Sequence, residues 1–242
     1  MLITGQSGNP KGARHRRSLT QMLGIITGTS LIQEEFEGRK ETVRTEYGNT
    51  EIFVGDTAVF LPRHGVAMDT PPHRINYLAN ISALKKSGVD GVVCVCSTGS
   101  LKMELVPGTM VVPDDYINFG RCVTFYDSEI RYTVPALDER LRNRIVKASR
   151  GRAKGVYVQT HGPRFETKAE IAVLRRYADI VGMTMANEAT LCSEIGIPVA
   201  ALCTVDNYAN GVSPQELSYE TIIENVKKNR DAVRDAIRRL IG

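Results

Sequence analysis

The chain has 242 residues, 42% of them hydrophobic and 24% charged, enough for one substantial core, so a single α/β domain is the default. No run of about 18 uncharged apolar residues occurs, and the stretch from Met1 to Gln21 is polar and basic with no signal-peptide pattern, which argues against secretion and membrane spanning. The cysteines, Cys94, Cys96, Cys122, Cys192 and Cys203, are odd in number and sit mostly in apolar runs, as suits buried reduced thiols in a cytoplasmic protein rather than a disulfide framework or a zinc site.

In chain order, residues 1–20 form a basic extension in which Lys11, Arg14, His15, Arg16 and Arg17 cluster, within a net charge of only +4. A nucleic-acid arm is one reading; a solvated, flexible terminus without a specific partner is the simpler one. Residues 21–242 then alternate two patterns. Short apolar, β-branched runs recur at Leu23–Thr27, Ile52–Val54, Ala58–Pro62, Val92–Cys96, Val156–Thr160, Ile180–Met183 and Val199–Val205. Helical patterns fall at His73–Ser87, Leu137–Ser149, Lys168–Tyr177, Asn187–Ile195 and Ser213–Leu240. Nearly all-apolar strands alternating with amphipathic helices predict a mixed, mostly parallel sheet flanked by helices. The region Val43–Phe60, broken at Gly48-Asn49 and Gly55-Asp56, reads instead as antiparallel hairpins. For the last helix, Ser213 is the expected cap, with Pro214 in the first turn, Glu216 at the capping-box spacing, and Ile222, Val226, Val233 and Ile237 as a core-facing stripe.

Ligands of open α/β sheets bind beyond the carboxyl ends of the strands, so the residues after each apolar run are the candidates. Thr27-Gly28-Thr29-Ser30 and Ser97-Thr98-Gly99-Ser100 read as small hydroxyl and glycine turns that can surround an oxyanion; such turns are also common without a ligand, and neither fits a P-loop or dinucleotide pattern. Pro62-Arg63-His64-Gly65 sets a guanidinium able to grip phosphate bidentately beside an imidazole. Gly182-Met183-Thr184 adds another hydroxyl. Donors on four separate strand ends favour a free phosphate in a shared cleft over a nucleotide wrapped on one loop. A second group, His161 to Thr167 and Val205 to Gly211, joins aromatic rings to groups that can read a heterocycle edge. There Phe165 can stack, Glu166 can accept from a ring N–H, and Asn207 can both donate and accept. Glu166 fits equally well as a helix N-terminal acid.

The segments Ile25–Leu31, Arg63–Tyr77, Ser97–Gly108, Tyr157–Glu170, Gly182–Glu188 and Val205–Gly211 resemble, in order, the motifs of the trimeric purine nucleoside and methylthioadenosine phosphorylases, from about residue 23 to the C-terminus. The resemblance implies that Thr29, Arg63, His64, Ser97 and Thr184 hold inorganic phosphate as co-substrate. It places Met183 under the ribose and gives Phe165, Glu166 and Asn207 the base and its leaving-group charge. It implies no cofactor, no metal, and no nucleic-acid or membrane partner. It also implies a homotrimer, or a hexamer as a dimer of trimers, with Phe119–Tyr132 as the candidate loop that closes a neighbour's sugar site.

Within that family, enzymes specific for 6-aminopurines have Asp at the position of Asn207 and Ser in place of Glu166, so this chain resembles the 6-oxopurine pattern. A one-residue shift that aimed Asp206 at the base would reverse the preference. On the 5′ side, relatives acting on ordinary nucleosides carry a His and methylthio-specific ones a small apolar residue; Tyr219 falls near that position and matches neither. The loop leading to Tyr219 leans towards 5′-methylthioinosine ahead of inosine or guanosine, with 5′-methylthioadenosine as the alternative. Departures from the family pattern are Ser30 for Gly, Met68, near the sugar or a subunit neighbour, for the His of methylthioadenosine enzymes, and Ala186-Asn187 for Val-Pro. They leave a non-catalytic purine- or phosphate-binding protein as the reading from another class.

Overall fold

A computed structural model describes residues 21–29 and 38–242; the basic extension and Ser30 lie outside the described residues. The strands are β1 (Leu23–Thr27), β2 (Arg39–Thr45), β3 (Gly48–Val54), β4 (Ala58–Pro62), β5 (Gly91–Ser100), β6 (Met110–Val111), β7 (Asp115–Asn118), β8 (Val156–Gln159), β9 (Ile180–Gly182) and β10 (Val199–Tyr208). They form one sheet in the order β2-β3-β4-β1-β5-β9-β8-β7, with β10 also paired to β5, and β6 to β10. The helices among the described residues are α1 (Tyr77–Lys86), α2 (Glu139–Ser149), α3 (Lys168–Leu174), α4 (Met185–Glu194) and α5 (Tyr219–Ile241). The expected mixed, largely parallel sheet with helices is therefore the fold, and β2-β3-β4 is the expected antiparallel portion.

The central strands are apolar on both faces because both are covered. Side chains alternate along a strand, so Val92, Cys94 and Cys96 of β5 enter one core cluster with Ile81 and Leu84 of α1 and Leu191 of α4. Val93 and Val95 enter the opposite cluster with Leu141 and Ile145 of α2 and Val233 and Ile237 of α5. Each such fully buried aliphatic contributes roughly 1.5–3 kcal/mol. No helix among the described residues is long and apolar enough to cross a membrane. Cys94, Cys96, Cys192 and Cys203 are buried free thiols, whereas Cys122 is exposed.

Four local expectations are corrected. Ser97-Thr98-Gly99-Ser100 is not a turn: β5 runs through Ser100, pairing with β10 as far as Tyr208 and with β9 at Gly99 and Ser100. Small residues suit this end of the strand because β10 and β9 crowd it: a Cβ on Gly99 would lie 3.2 Å from Asn207 Nδ2 and 3.3 Å from Val181. The break before β3 falls at Glu46-Tyr47, with Gly48 opening the strand at φ 127°. Helix α1 begins at Tyr77, where the Asn76 side chain accepts from the Ala79 amide at 3.1 Å; Pro72–Arg74 is a separate 3-10 turn. Helix α5 starts at Tyr219, capped by Ser218 through the Thr221 amide. The expected cap, Ser213, closes a local turn on the Gln215 amide at 3.2 Å instead, and the residues as far as Ser218 stay irregular.

Candidate active site

The carboxyl ends of β1, β4, β5, β9 and β10, with the loop after β8 and the start of α5, enclose a cavity of about 400 Å³. It is lined by all eleven residues singled out from the sequence: Thr29, Arg63, His64, Met68, Ser97, Phe165, Glu166, Met183, Thr184, Asn207 and Tyr219.

Arg63 leaves β4 directly into a buried ion pair. Its Nε donates to Glu188 Oε1 at 2.7 Å and its Nη2 to Oε2 at 2.8 Å, with both side chains 2% exposed. Nη1 donates to the Val95 carbonyl at 2.6 Å and Nη2 also reaches Cys96 Sγ at 3.7 Å. Of the five guanidinium N–H groups, four are occupied, and among the described residues only one on Nη1 has no partner. The bidentate grip on an anion expected from the sequence is thus already spent on Glu188. Burial works against the guanidinium charge, but Glu188 outweighs it and holds Arg63 protonated well above its usual range. Gly28 permits this packing, since a Cβ there would lie 2.7 Å from Arg63 Nη1.

His64 Nδ1 lies 2.8 Å from the Thr70 carbonyl, which can only accept, so Nδ1 carries the hydrogen and Nε2 is the ring's acceptor. Burial, followed by the Arg63 charge, lowers the His64 pKa, favouring the neutral ring. Thr184 is the N-cap residue of α4, yet its side chain makes no capping bond.

At the other group of candidates, Glu166 is buried and Thr160 Oγ1 donates to its Oε1 at 2.5 Å. The alternative reading of Glu166 as a helix-start acid does not hold. That place is filled by the capping box of Thr167 and Glu170 on α3, which Arg164 braces through both of its terminal nitrogens at 2.8 Å. Glu166 is thereby left to the cavity. Phe165 is 41% exposed at the rim.

A register shift in β10 decides between the two adjacent polar residues. Val205 pairs with Thr98 and Asn207 with Gly99, so Asp206 is the extra residue of a β-bulge. Asp206 is fully buried, accepts from Asn229 Nδ2 at 2.7 Å and Thr204 Oγ1 at 3.1 Å, and is not among the cavity-lining residues. Burial raises its pKa, with Ser97, Asn229 and Thr204 acting in the opposite direction. The shift that would aim an acid at the cavity does not occur; Asn207 faces it.

The sequence reading missed Glu188, which stood inside a motif without a role, and the apolar wall made by Leu217, Ile222, Ile223 and Val226. Ile222 and Val226 belong to the expected core-facing stripe of α5, but this first part of the stripe lines the cavity, while Val233 and Ile237 reach the core. Met68 closes the same wall from a left-handed backbone, φ 55°.

The sequence profile of the phosphorylase superfamily matches residues 22–242. A protein of Archaeoglobus fulgidus named probable 6-oxopurine nucleoside phosphorylase is 43% identical over 221 residues, covering 86% of this chain and 90% of that protein. One of Methanocaldococcus jannaschii named probable S-methyl-5′-thioinosine phosphorylase is 40% identical, covering 88% of each. Among solved structures, methylthioadenosine phosphorylase from Schistosoma mansoni in complex with adenine aligns with a TM-score of 0.84 at 27% identity, over 91% of both chains.

Proposed function

Because the chain belongs to the phosphorylase superfamily, we propose that it is a purine nucleoside phosphorylase that splits the glycosidic bond with inorganic phosphate. The products are the free base and (5-methylthio)ribose 1-phosphate, with 6-oxopurine nucleosides favoured and a role in purine salvage. The observation that carries this reading is a single cavity in which anion donors and heterocycle-reading groups converge from separate strand ends.

In this reading a phosphate oxygen forms a bond to ribose C1′ as the C1′–N9 bond breaks, and the bonding pair leaves with the purine. The transition state resembles an oxocarbenium ion, so the protein supplies positioning and electrostatics rather than a nucleophile. Thr29, Thr184 and the remaining Arg63 Nη1 hydrogen donate to phosphate, while His64 Nε2 accepts from its hydroxyl. Ser97 contributes from the β5 end. No cofactor or metal takes part. Met183 supports the ribose, Phe165 stacks on the base, Glu166 accepts from N1–H through the oxygen not held by Thr160, and Asn207 donates to O6. A buried mismatched polar pair costs about 1–3 kcal/mol, and the outward turn of Asp206 favours the 6-oxo pairing over a 6-amino one. The wall of Met68, Leu217, Ile222, Ile223 and Val226 suits a 5′-methylthio group better than a hydroxyl.

A homotrimer or hexamer completes the proposal: Phe119, Ile130 and Tyr132 are 66%, 91% and 92% exposed and are the surface expected to meet a neighbour. The test is release of hypoxanthine from inosine or 5′-methylthioinosine, which should require phosphate. Release without phosphate would mean a nucleosidase, and binding without turnover a non-catalytic protein. Comparing kcat/KM for methylthioinosine, inosine, guanosine and methylthioadenosine ranks the substrates.

A further inference from the structure

Helix α4 begins at the cavity, and the four amides at its start find no helical acceptor; the Glu188 amide is the first to reach back, to the Thr184 carbonyl. A threonine at the N-cap ordinarily meets part of that need with its own hydroxyl. Here two side chains of β8 meet all of it. The Tyr157 hydroxyl accepts from the Thr184 and Met185 amides at 3.2 and 3.4 Å. Gln159 Oε1 accepts from the Ala186 and Asn187 amides at 2.7 and 3.3 Å. Both side chains are buried, 0% and 1% exposed, and neither lines the cavity. Burial raises the Tyr157 pKa, which keeps the phenol neutral. Gly182 is part of the device, because a Cβ there would collide with the Tyr157 ring.

We infer that Tyr157 and Gln159 are positioning residues that cap α4 on behalf of Thr184 and so release the Thr184 hydroxyl to bind phosphate. The inference rests on the phosphate-binding role proposed for Thr184. A threonine hydroxyl that accepts an N3 amide keeps one hydrogen to donate, but its rotamer is then set by the helix start rather than by an anion in the cavity. The two β8 side chains remove that competition and fix the helix start against the sheet. The same arrangement keeps the positive end of the helix close to the anion while its amides stay occupied, so the helix contributes field rather than direct amide bonds.

The experiment is steady-state kinetics of Gln159→Met and Tyr157→Phe with phosphate and nucleoside varied separately, each substitution also made on Thr184→Val. The expected result is a rise in KM for phosphate of roughly three- to thirty-fold, the range for losing a cap, with KM for nucleoside within about two-fold. On Thr184→Val neither substitution should raise the phosphate KM further, because the hydroxyl they serve is gone. Penalties that multiply on Thr184→Val, or a fall in kcat with both KM values unchanged, would overturn the inference and leave the two residues a structural role only. Tyr157→Phe removes one oxygen without changing the ring, so it remains informative if Gln159→Met does not fold. Wild-type turnover independent of phosphate would instead overturn the phosphorolytic reading itself.

Discussion

The two polar and apolar ends of the cavity are held in opposite ways. Arg63 and Thr184 are braced by chain distant in sequence: Glu188 lies 125 positions from Arg63, and Tyr157 lies 27 from Thr184. At the apolar end, Met68 and Tyr219 are 39% and 63% exposed and stand at the edge of irregular chain. Buried, networked geometry suits the reactant that does not vary in the proposed reaction, inorganic phosphate. An open wall of aliphatic side chains suits the part of a substrate that differs among relatives.

That contrast can be broken hardest at the ion pair. Glu188→Ala should lower unfolding free energy by about 3–5 kcal/mol, since it leaves the buried Arg63 charge uncompensated; urea denaturation measures it, and a loss below about 1 kcal/mol would mean that Arg63 relaxes into solvent. Next comes Asn207→Asp. Replacing the amide donor with an acceptor should move the kcat/KM ratio of inosine to adenosine towards adenosine by about ten- to a hundred-fold, and an unchanged ratio would show that Asn207 does not read position 6.

A smaller effect is expected from pH. The folded pKa of His64 lies below the 6.5 of the ordinary side chain. Between those two values the unfolded chain binds the proton and the folded one does not, so stability is full above about 6.5 and is lost as pH falls towards the folded value, by at most about 1.4 kcal/mol per pH unit. Denaturation curves from pH 7 down to 5 should therefore fall more steeply for the wild type than for His64→Gln. Parallel curves would show the ring titrates normally. Smallest of all, Tyr219→Ala should change stability by no more than about 0.5 kcal/mol while altering the methylthioinosine to inosine ratio; a large loss of stability would mean that the apolar end is as braced as the polar one.

Much of the sheet was legible because its strands are buried on both faces: the Leu23–Thr27 and Ala58–Pro62 runs match β1 and β4 residue for residue. The short, partly exposed β6 and β7 carry no comparable apolar run and were missed. The site was legible as residue types at strand ends, and all of them converge. What they bond to was not legible, because Arg63 to Glu188 and Gln159 to the α4 amides are long-range choices that no local pattern records. Helix α5 misled for a related reason. Ser213-Pro214 has the chemistry of a helix start, but the cavity needs Leu217 and Tyr219 at its rim, and Ser218 offers an equally good cap five residues later.

The bulge at Asp206 works as a frame shift in a code of alternating faces. Up to Val205 the strand reads in one phase, and one inserted residue resets the phase so that an amide, not an acid, lines the cavity. Removing Asp206 would straighten the bulge and keep Asn207 opposite Gly99 and Tyr208 opposite Ser100, whereas a further residue inserted without a second bulge would move the amide off that place. In the proposed reading, base preference is therefore set by the letter at position 207, and the bulge absorbs one extra residue while holding that letter opposite Gly99.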